Sequence, residues 1–556
     1  MTSVLERPTA APARRDRDGL TGTGSLLRLA LRRDRIRATV WTAGVLAFVY
    51  SQAASMYQLY PAQADLDRLA ATYQNNPNPG IAAITGPPVA LNTYGGATAW
   101  QVVVFETTIL ALMSYLLVVR HTRAEEEAGR SDLLDAGPVG RHARLAAALL
   151  YVGLLNGVIA LLSVAALIAT GLPAAGSIAM AVACGSTGLV FAAVGALTAQ
   201  LTEHARPASG LAGALLGAAF LLRAAGDTAS VDGHGSGSGS ALIWLSPIGW
   251  TEQVRAYAGN RWWVLLVPAG VTLVLLAAVF ALRSRRDAGA GLLAARLGPA
   301  SAPPSLRGPV GLAWRLHRGS ILGWAVGTAI AGAVFGGLAP DIVTAAEGDS
   351  ATADALTTYS GASGDLADVY LAIVFLLVGM VVAGFAVQAV LRALTEETEF
   401  RAEPLLAAAV SRLRWASGHV LAAVLGPVAI LAAAGFASGV AYAVRTGDHG
   451  AIGRLLGTAL GQLPAVWVLA GVAVALFGLR PRWTAAAWGG LLLSVVITQF
   501  GPLLRLDSWV RDLSPFGHLP LLPAADATPA PYLWLVAVAA ASTAAGLAGL
   551  RRRDIR

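Results

Sequence analysis

The sequence predicts an all-α polytopic membrane protein of about twelve spans, built as two parallel six-span halves related by a pseudo-two-fold axis along the membrane normal. Three observations predict it. Hydrophobic residues make up 56% of the chain and charged residues only 13%, about half the roughly 25% of a soluble domain. Apolar stretches near the ~20 residues that cross the hydrocarbon core recur along the whole chain. The polar segments between those stretches repeat.

A chain of 556 residues with so little charge and a mean hydropathy of +0.61 cannot cover itself with a water-facing surface. The spans are expected at 38–58, 99–119, 145–169, 175–200, 208–223 and 262–282, then at 320–338, 369–391, 416–443, 455–478, 484–501 and 531–550. Gly and Pro inside them are ordinary in membrane helices. The net charge is +8 and every basic residue is Arg, none Lys. That points to a GC-rich genome, as in actinobacteria, and to topology rather than nucleic-acid binding. The lone Cys184 excludes an internal disulfide and a Cys-pair metal site. The polar, Arg-rich start carries no apolar core, so no cleavable signal peptide is expected.

Arginine placement orients the chain. Arg14 to Arg37 precede span one, Arg120 to Arg144 surround the loop after span two, and Arg283 to Arg318 fill the central linker. Arg551, Arg552, Arg553 and Arg556 end the chain. All fall on one side, predicted to be cytoplasmic together with both termini of a plasma-membrane protein. On the outer side, 59–98 is a long loop with a short helix around Asp65–Tyr73, and Gly233 to Ser240 is a flexible tether. The expected division is a first half 1–283 with an N-terminal amphipathic helix, a linker 284–311, and a second half 312–556.

The repeat is carried by charge. Arg123–Arg144 aligns without gaps on Leu394–Trp415, at an offset of 396 − 125 = 271. Glu125 and Glu126 meet Glu396 and Glu397, Arg130 and Arg141 meet Arg401 and Arg412, and Asp132 meets Glu403. Apolar bias matches Ala with Leu by chance, but not two acids and two arginines in register. Leu29–Arg35 also aligns on Leu312–Arg318, which brings Trp41 and Gly44 onto Trp324 and Gly327. Leu245-Ser-Pro-Ile-Gly249 aligns on Leu513-Ser-Pro-Phe-Gly517. A tandem duplication follows, with a path between the halves.

Eight of these ten matched residues lie on charged segments, 124–135 and 395–408, that read as short helices able to dock a soluble partner, and Arg141 and Arg412 follow them. Arg28, Arg32 and Arg35, repeated by Arg315 and Arg318, mark an amphipathic helix whose arginines reach lipid phosphates. Glu106 sits within span two. An intramembrane carboxylate is costly, so a place on the translocation path is expected; its repeat position is Leu377. Arg223 and Asp227 read as a local pair, and Gly213-x-x-x-Gly217 as a helix-packing signal. Without Lys there is no phosphate loop, and no zinc-protease or serine-hydrolase motif occurs. No catalytic residue, metal or cofactor is expected in this chain.

At Arg123-x-Glu125-Glu126-Glu127-x-Gly129-Arg130-x-Asp132-Leu133-Leu134-x-Ala136-Gly137-Pro138-Val139-x-Arg141 the chain resembles a type-2 ABC-exporter permease. More narrowly, it resembles the fused double-length actinobacterial permeases of polyketide-antibiotic or tetronasin-type exporters. Phe400 and Ala409 replace Gly129 and Pro138 in the second copy. The resemblance implies that the two charged segments are coupling helices for two copies of a separate ATPase, which would bind ATP and Mg. It also implies that the helix before span one is the connecting helix, and that the element before span six, with Ser246-Pro247 and Ser514-Pro515, is partly re-entrant. The implied cargo is a hydrophobic small molecule such as an antibiotic. The alternative is a proton-coupled twelve-span secondary drug transporter.

Overall fold

The computed structural model describes residues 19–553 apart from 76–78, 130–136, 138, 232–240, 286–290, 293–297, 299, 307, 349–364, 409 and 501–506. Arg130, Asp132 and the tether Gly233 to Ser240 therefore lie outside the described residues. The chain divides into two compact units, Met1–Leu297 and Gly298–Arg556. Both are helical, with no strand among the described residues.

The first unit runs α1 (Thr23–Arg33), α2 (Arg35–Leu59), α3 (Gln63–Asn75), α4 (Pro79–Thr85), α5 (Tyr94–Val119), α6 (Ala143–Ala169), α7 (Ala174–Leu201), α8 (Ala205–Val231), α9 (Pro247–Gln253) and α10 (Leu266–Arg285). The second runs α11 (Pro309–Gly348), α12 (Leu366–Thr398), α13 (Arg412–Thr446), α14 (Ala451–Leu460), α15 (Leu463–Leu479), α16 (Ala486–Phe500) and α17 (Pro529–Arg552). Ten helical stretches among the described residues are long and apolar enough to cross a membrane. The two other expected spans coincide with α2 and α16.

Burial separates central from peripheral spans. In the first unit the apolar windows of α5 and α7 are 72% buried; in the second, α12 is 78% and α14–α15 67% buried, against 17% to 44% for the other candidate spans. Spans two and four thus form the centre of each unit. The apolar faces of the others are left for lipid, which solvates them as well as protein does. The same neighbours recur: span one packs on span three, span two on span four and span four on span six.

Three details depart from the expected spans. In the first unit the amphipathic helix is separate, because the chain leaves helical geometry at Asp34, φ −100° and ψ 14°. In the second, the aligned His317 stays helical, and α11 is one helix of 40 residues, about 60 Å at 1.5 Å per residue. Arg28 and Arg32 therefore lie on α1 and Arg35 opens α2, whereas Arg315 and Arg318 belong to the long helix itself. The fourth span of the second unit is interrupted at Gly461-Gln462, where Pro464 opens α15 at a position that needs no N–H. In the loop 59–98 the expected helix is α3; α4 is an addition that periodicity could not announce in seven residues.

Small residues set the closest helix approach. Gly213 faces the Tyr115 hydroxyl, but Gly217 meets nothing. The tight contact is elsewhere: Gly332 and Gly336 on α11 lie against the backbone of Ala434 and Ser438 on α13, and a Cβ on Gly336 would sit 2.7 Å from the Ser438 Cα. Gly336→Val is expected to cost about 1–3 kcal/mol through overpacking, read as a lower melting temperature in detergent. Gly217→Val should be close to neutral.

Candidate functional site

The helix ends that carry the matched acids continue span two of each unit and close in a left-handed turn at corresponding positions. In the second copy α12 stops at Thr398. Phe400 is left-handed, φ +58°, its N–H bonds to the Glu397 carbonyl at 3.1 Å, and the Arg401 N–H to that of Glu396 at 2.9 Å. These are the two bonds of a Schellman motif. In the first copy Gly129 takes the same conformation, φ +68°, with its N–H on the Glu126 carbonyl at 3.0 Å. Residues 395–408 are thus a helix end, this turn, and a short helix Glu403–Ala407 that tolerates Pro404 in its first turn. Gly suits a left-handed turn and Phe does not. Phe400 is 63% exposed, so Phe400→Gly removes little packing. It is expected to stabilise by up to ~1 kcal/mol, whereas Gly129→Phe should destabilise; thermal melts of both check this.

The turn positions the acids. Glu126 accepts from Arg123 at 2.6 Å and from Arg283, at the end of α10, at 2.7 Å, with Arg144 at 4.0 Å. Glu397 accepts two bonds from Arg553, beyond the end of α17, at 2.7 and 2.6 Å. Arg141 donates to the Ser284 carbonyl at 2.6 Å, and its repeat Arg412 donates to the Arg553 carbonyl. In each unit, then, the matched acid and the matched arginine tie spans two and three to the end of span six. Both acids have side chains only 6% exposed. Glu125 pairs with Arg33 at 2.8 Å, and Glu396 is buried near Arg392 and His419 at 3.9 and 4.0 Å.

The outward-facing groups of these segments are different ones. Glu127 is 45% exposed and accepts from the Ala205 N–H at 3.0 Å, at the N-terminus of α8, where a negative charge is favoured. Glu399 and Arg401 are half exposed and paired with each other, and Glu403 and Arg141 are exposed.

Beside the first segment lies Asp34, 1% exposed, held by His121 at 2.9 Å, Arg37 at 3.2 Å and Arg120 at 3.3 Å. Burial pushes its carboxyl up, but His121, Arg120 and Arg37 outweigh this and hold it below the ordinary value. A depressed carboxylate stabilises above its unfolded pKa, and that contribution is lost as pH falls through the folded value. Asp34→Asn is therefore expected to lower the melting temperature at neutral pH and to flatten its acid dependence. The aligned His317 is also buried, 3.1 Å from His419.

At the opposite end of the first unit, Arg223 is fully buried on α8. One guanidinium nitrogen donates to Asp227 at 3.0 Å and to Glu252 on α9 at 3.1 Å. The other donates to the carbonyls of Ala83 and Ile84 in the last turn of α4, where a cation is favoured. The repeated serines also tie span five to the element before span six. Ser246 donates to the Ala219 carbonyl at 2.7 Å and caps α9, while Ser514 donates to the Ser494 carbonyl at 3.3 Å. The short helix α9 packs back between α5 and α7. Glu106 is fully enclosed; Ser163 on α6 donates to it at 3.2 Å, and Cys184 on α7 adjoins it. Its repeat position Leu377 is 41% exposed.

Sequence reasoning missed Glu252, Asp34, Arg283 and Arg553 as partners. A signal existed for the last two, since 553 − 283 = 270, close to the offset of the matched segments. Arg28, Arg32, Arg35, Arg315 and Arg318 are all exposed.

Residues 306–551 match the family model described as multidrug efflux system permease Rv1217c, C-terminal domain. The multidrug efflux system permease protein Rv1217c of Mycobacterium tuberculosis is 42% identical over 557 residues, spanning 99% of this chain and 98% of that protein.

Proposed function

We propose, from the premise that this chain belongs to the family of that multidrug efflux permease, that it is the membrane permease of an ATP-driven exporter of hydrophobic small molecules. The carrying observation is the full-length likeness to a multidrug efflux permease. A separate ATPase would bind ATP and Mg and dock twice, once on each charged segment that follows span two, so that one permease chain binds two ATPase copies. The arginine-bearing end of the spans, with the termini and the linker, would then face the cytoplasm.

The buried clasps suit that role. Each docking segment is fixed to the ends of spans three and six, so a push on its exposed face reaches three spans at once. The docking groups are then Glu127, Arg141, Glu399, Arg401 and Glu403, with Arg130 and Asp132; Glu126, Glu397 and Arg412 brace them from behind. Glu127→Arg with Glu403→Arg is the fair test, because single exposed pairs are weak. The double variant should lose about 1 kcal/mol of stability, from the charge reversed at the start of α8, and lose most copurifying ATPase, whereas Glu127→Ala alone should show the stability loss without the docking loss. Retention of the ATPase at a two-to-one ratio counts against docking at these faces.

The enclosed carboxyl of Glu106 favours a second reading, a proton-coupled carrier in which Glu106 is a polar point on the path. Transport by the purified chain alone, driven by a proton gradient without ATP and lost in Glu106→Gln, would replace the first reading with the second.

A further inference from the structure

Among the described residues five arginines, Arg28, Arg32, Arg33, Arg35 and Arg37, precede and open the first span, and the structure divides them. Arg33 pairs with Glu125 at 2.8 Å and Arg37 with Asp34 at 3.2 Å. Arg28, Arg32 and Arg35 are exposed and have no ion-pair partner among the described residues. Beside them lies a groove of about 450 Å³ between α1, α2 and α6, walled by Leu31, Thr39, Thr42, Leu46, Leu154 and Val158.

The helix periods place charge and groove in line. Leu31 lies three residues after Arg28 on α1, and Arg35 four before Thr39 on α2, so these two arginines sit one turn from a wall residue, and Arg32 follows Arg28 by one turn. The groove extends along α2 in the direction of the span, and its walls at Leu46, Leu154 and Val158 are aliphatic. A contiguous depression on α6 runs past Gly153 and Gly157. Leu154 is 50% and Val158 48% exposed, so the groove opens to the surrounding lipid.

We propose that this groove is a binding site for an anionic phospholipid, with its phosphate on Arg28, Arg32 and Arg35 and one acyl chain between α2 and α6. Charge complementarity selects the occupant. Nearby acids Asp34 and Glu125 are already paired with other arginines, so this end of the groove is net positive and attracts an anion. An amphipathic helix in the membrane interface meets such an anion as a lipid headgroup. A bound lipid would brace α1 against α6 where neither helix supplies enough side chain to fill the gap.

The intact chain, solubilised and washed with mixed micelles of phosphatidylglycerol and phosphatidylcholine, is tested by native mass spectrometry for retained lipid. The wild type should retain phosphatidylglycerol preferentially, with the preference falling as salt is raised. Arg28→Gln/Arg32→Gln/Arg35→Gln should lower the retained ratio by roughly fivefold for each arginine that contacts the phosphate. Thr42→Trp fills the groove, leaves the arginines in place, and should abolish retention of both lipids. Equal retention of the two lipids by the wild type, or an unchanged ratio in the triple variant, overturns the proposal. Headgroup binding that survives Thr42→Trp would assign the arginines to a free anion instead of a lipid. Should the triple variant fold poorly, the salt series on the wild type and the Thr42→Trp variant decide the matter without it.

Discussion

Arg223→Ala is expected to destabilise the first unit by about 3–5 kcal/mol, the cost of leaving buried charge uncompensated, and to release the loop 59–98. One guanidinium serves two carboxylates, Asp227 and Glu252, together with two carbonyls of α4. Its loss leaves both acids facing each other in a site that excludes water. The opposite substitution carries the discriminating sign. Two carboxylates exceed one cation, so Glu252→Gln keeps the hydrogen bond, removes the surplus charge and should cost less than ~1 kcal/mol. Arg223→Lys should fall between, because an ammonium cannot span the two acids and the carbonyls in one plane. Thermal melts of the three variants in detergent, with limited proteolysis of the loop 59–98, give the order. Equal loss in Arg223→Ala and Glu252→Gln would mean that the site holds by packing and not by charge.

The second large effect is expected at Arg553. It makes a two-toothed pair with Glu397, stacks at 5.0 Å over the Phe477 ring, and offers its carbonyl to Arg412. Arg553→Ala should cost about 3–5 kcal/mol. In the first unit Arg283→Ala should cost less, since Arg123 remains on Glu126 at 2.6 Å. The exchange Glu397→Arg with Arg553→Glu should recover part of the loss, which a double-mutant cycle measures. A charge reversal at Glu126 and Glu397 would break these clasps as well as any docking, which is why the exposed Glu127 and Glu403 are the residues to reverse when coupling is the question.

Much of the architecture is legible in the amino-acid sequence alone. Hydrophobic length and charge scarcity act residue by residue, so the spans and the membrane class follow from composition. The duplication is legible because acids and arginines at equal spacing do not recur by chance among apolar residues. The shared turn at Gly129 and Phe400 is legible only in part: register predicts equivalence, but the replacement of Gly by Phe argues against a left-handed residue there. Packing overrides that local preference, because the clasp on Glu397 holds the helix end in the same place as the clasp on Glu126.

Pair identity belongs to the tertiary structure. Arg223 and Asp227 are recognisable at one helical turn, yet Glu252 lies 29 residues away and the Ala83 carbonyl 140, distances at which neither periodicity nor spacing carries information. The same holds for which of three consecutive glutamates is buried. Glu125, Glu126 and Glu127 are chemically alike; their fates differ because the helical turn that continues beyond α5 delivers them about 100° apart, one toward Arg33, one toward Arg283 and one toward the start of α8. Sequence chemistry determines that these charges exist and recur, and the packing of spans two, three and six determines which of them are braces and which remain for a partner.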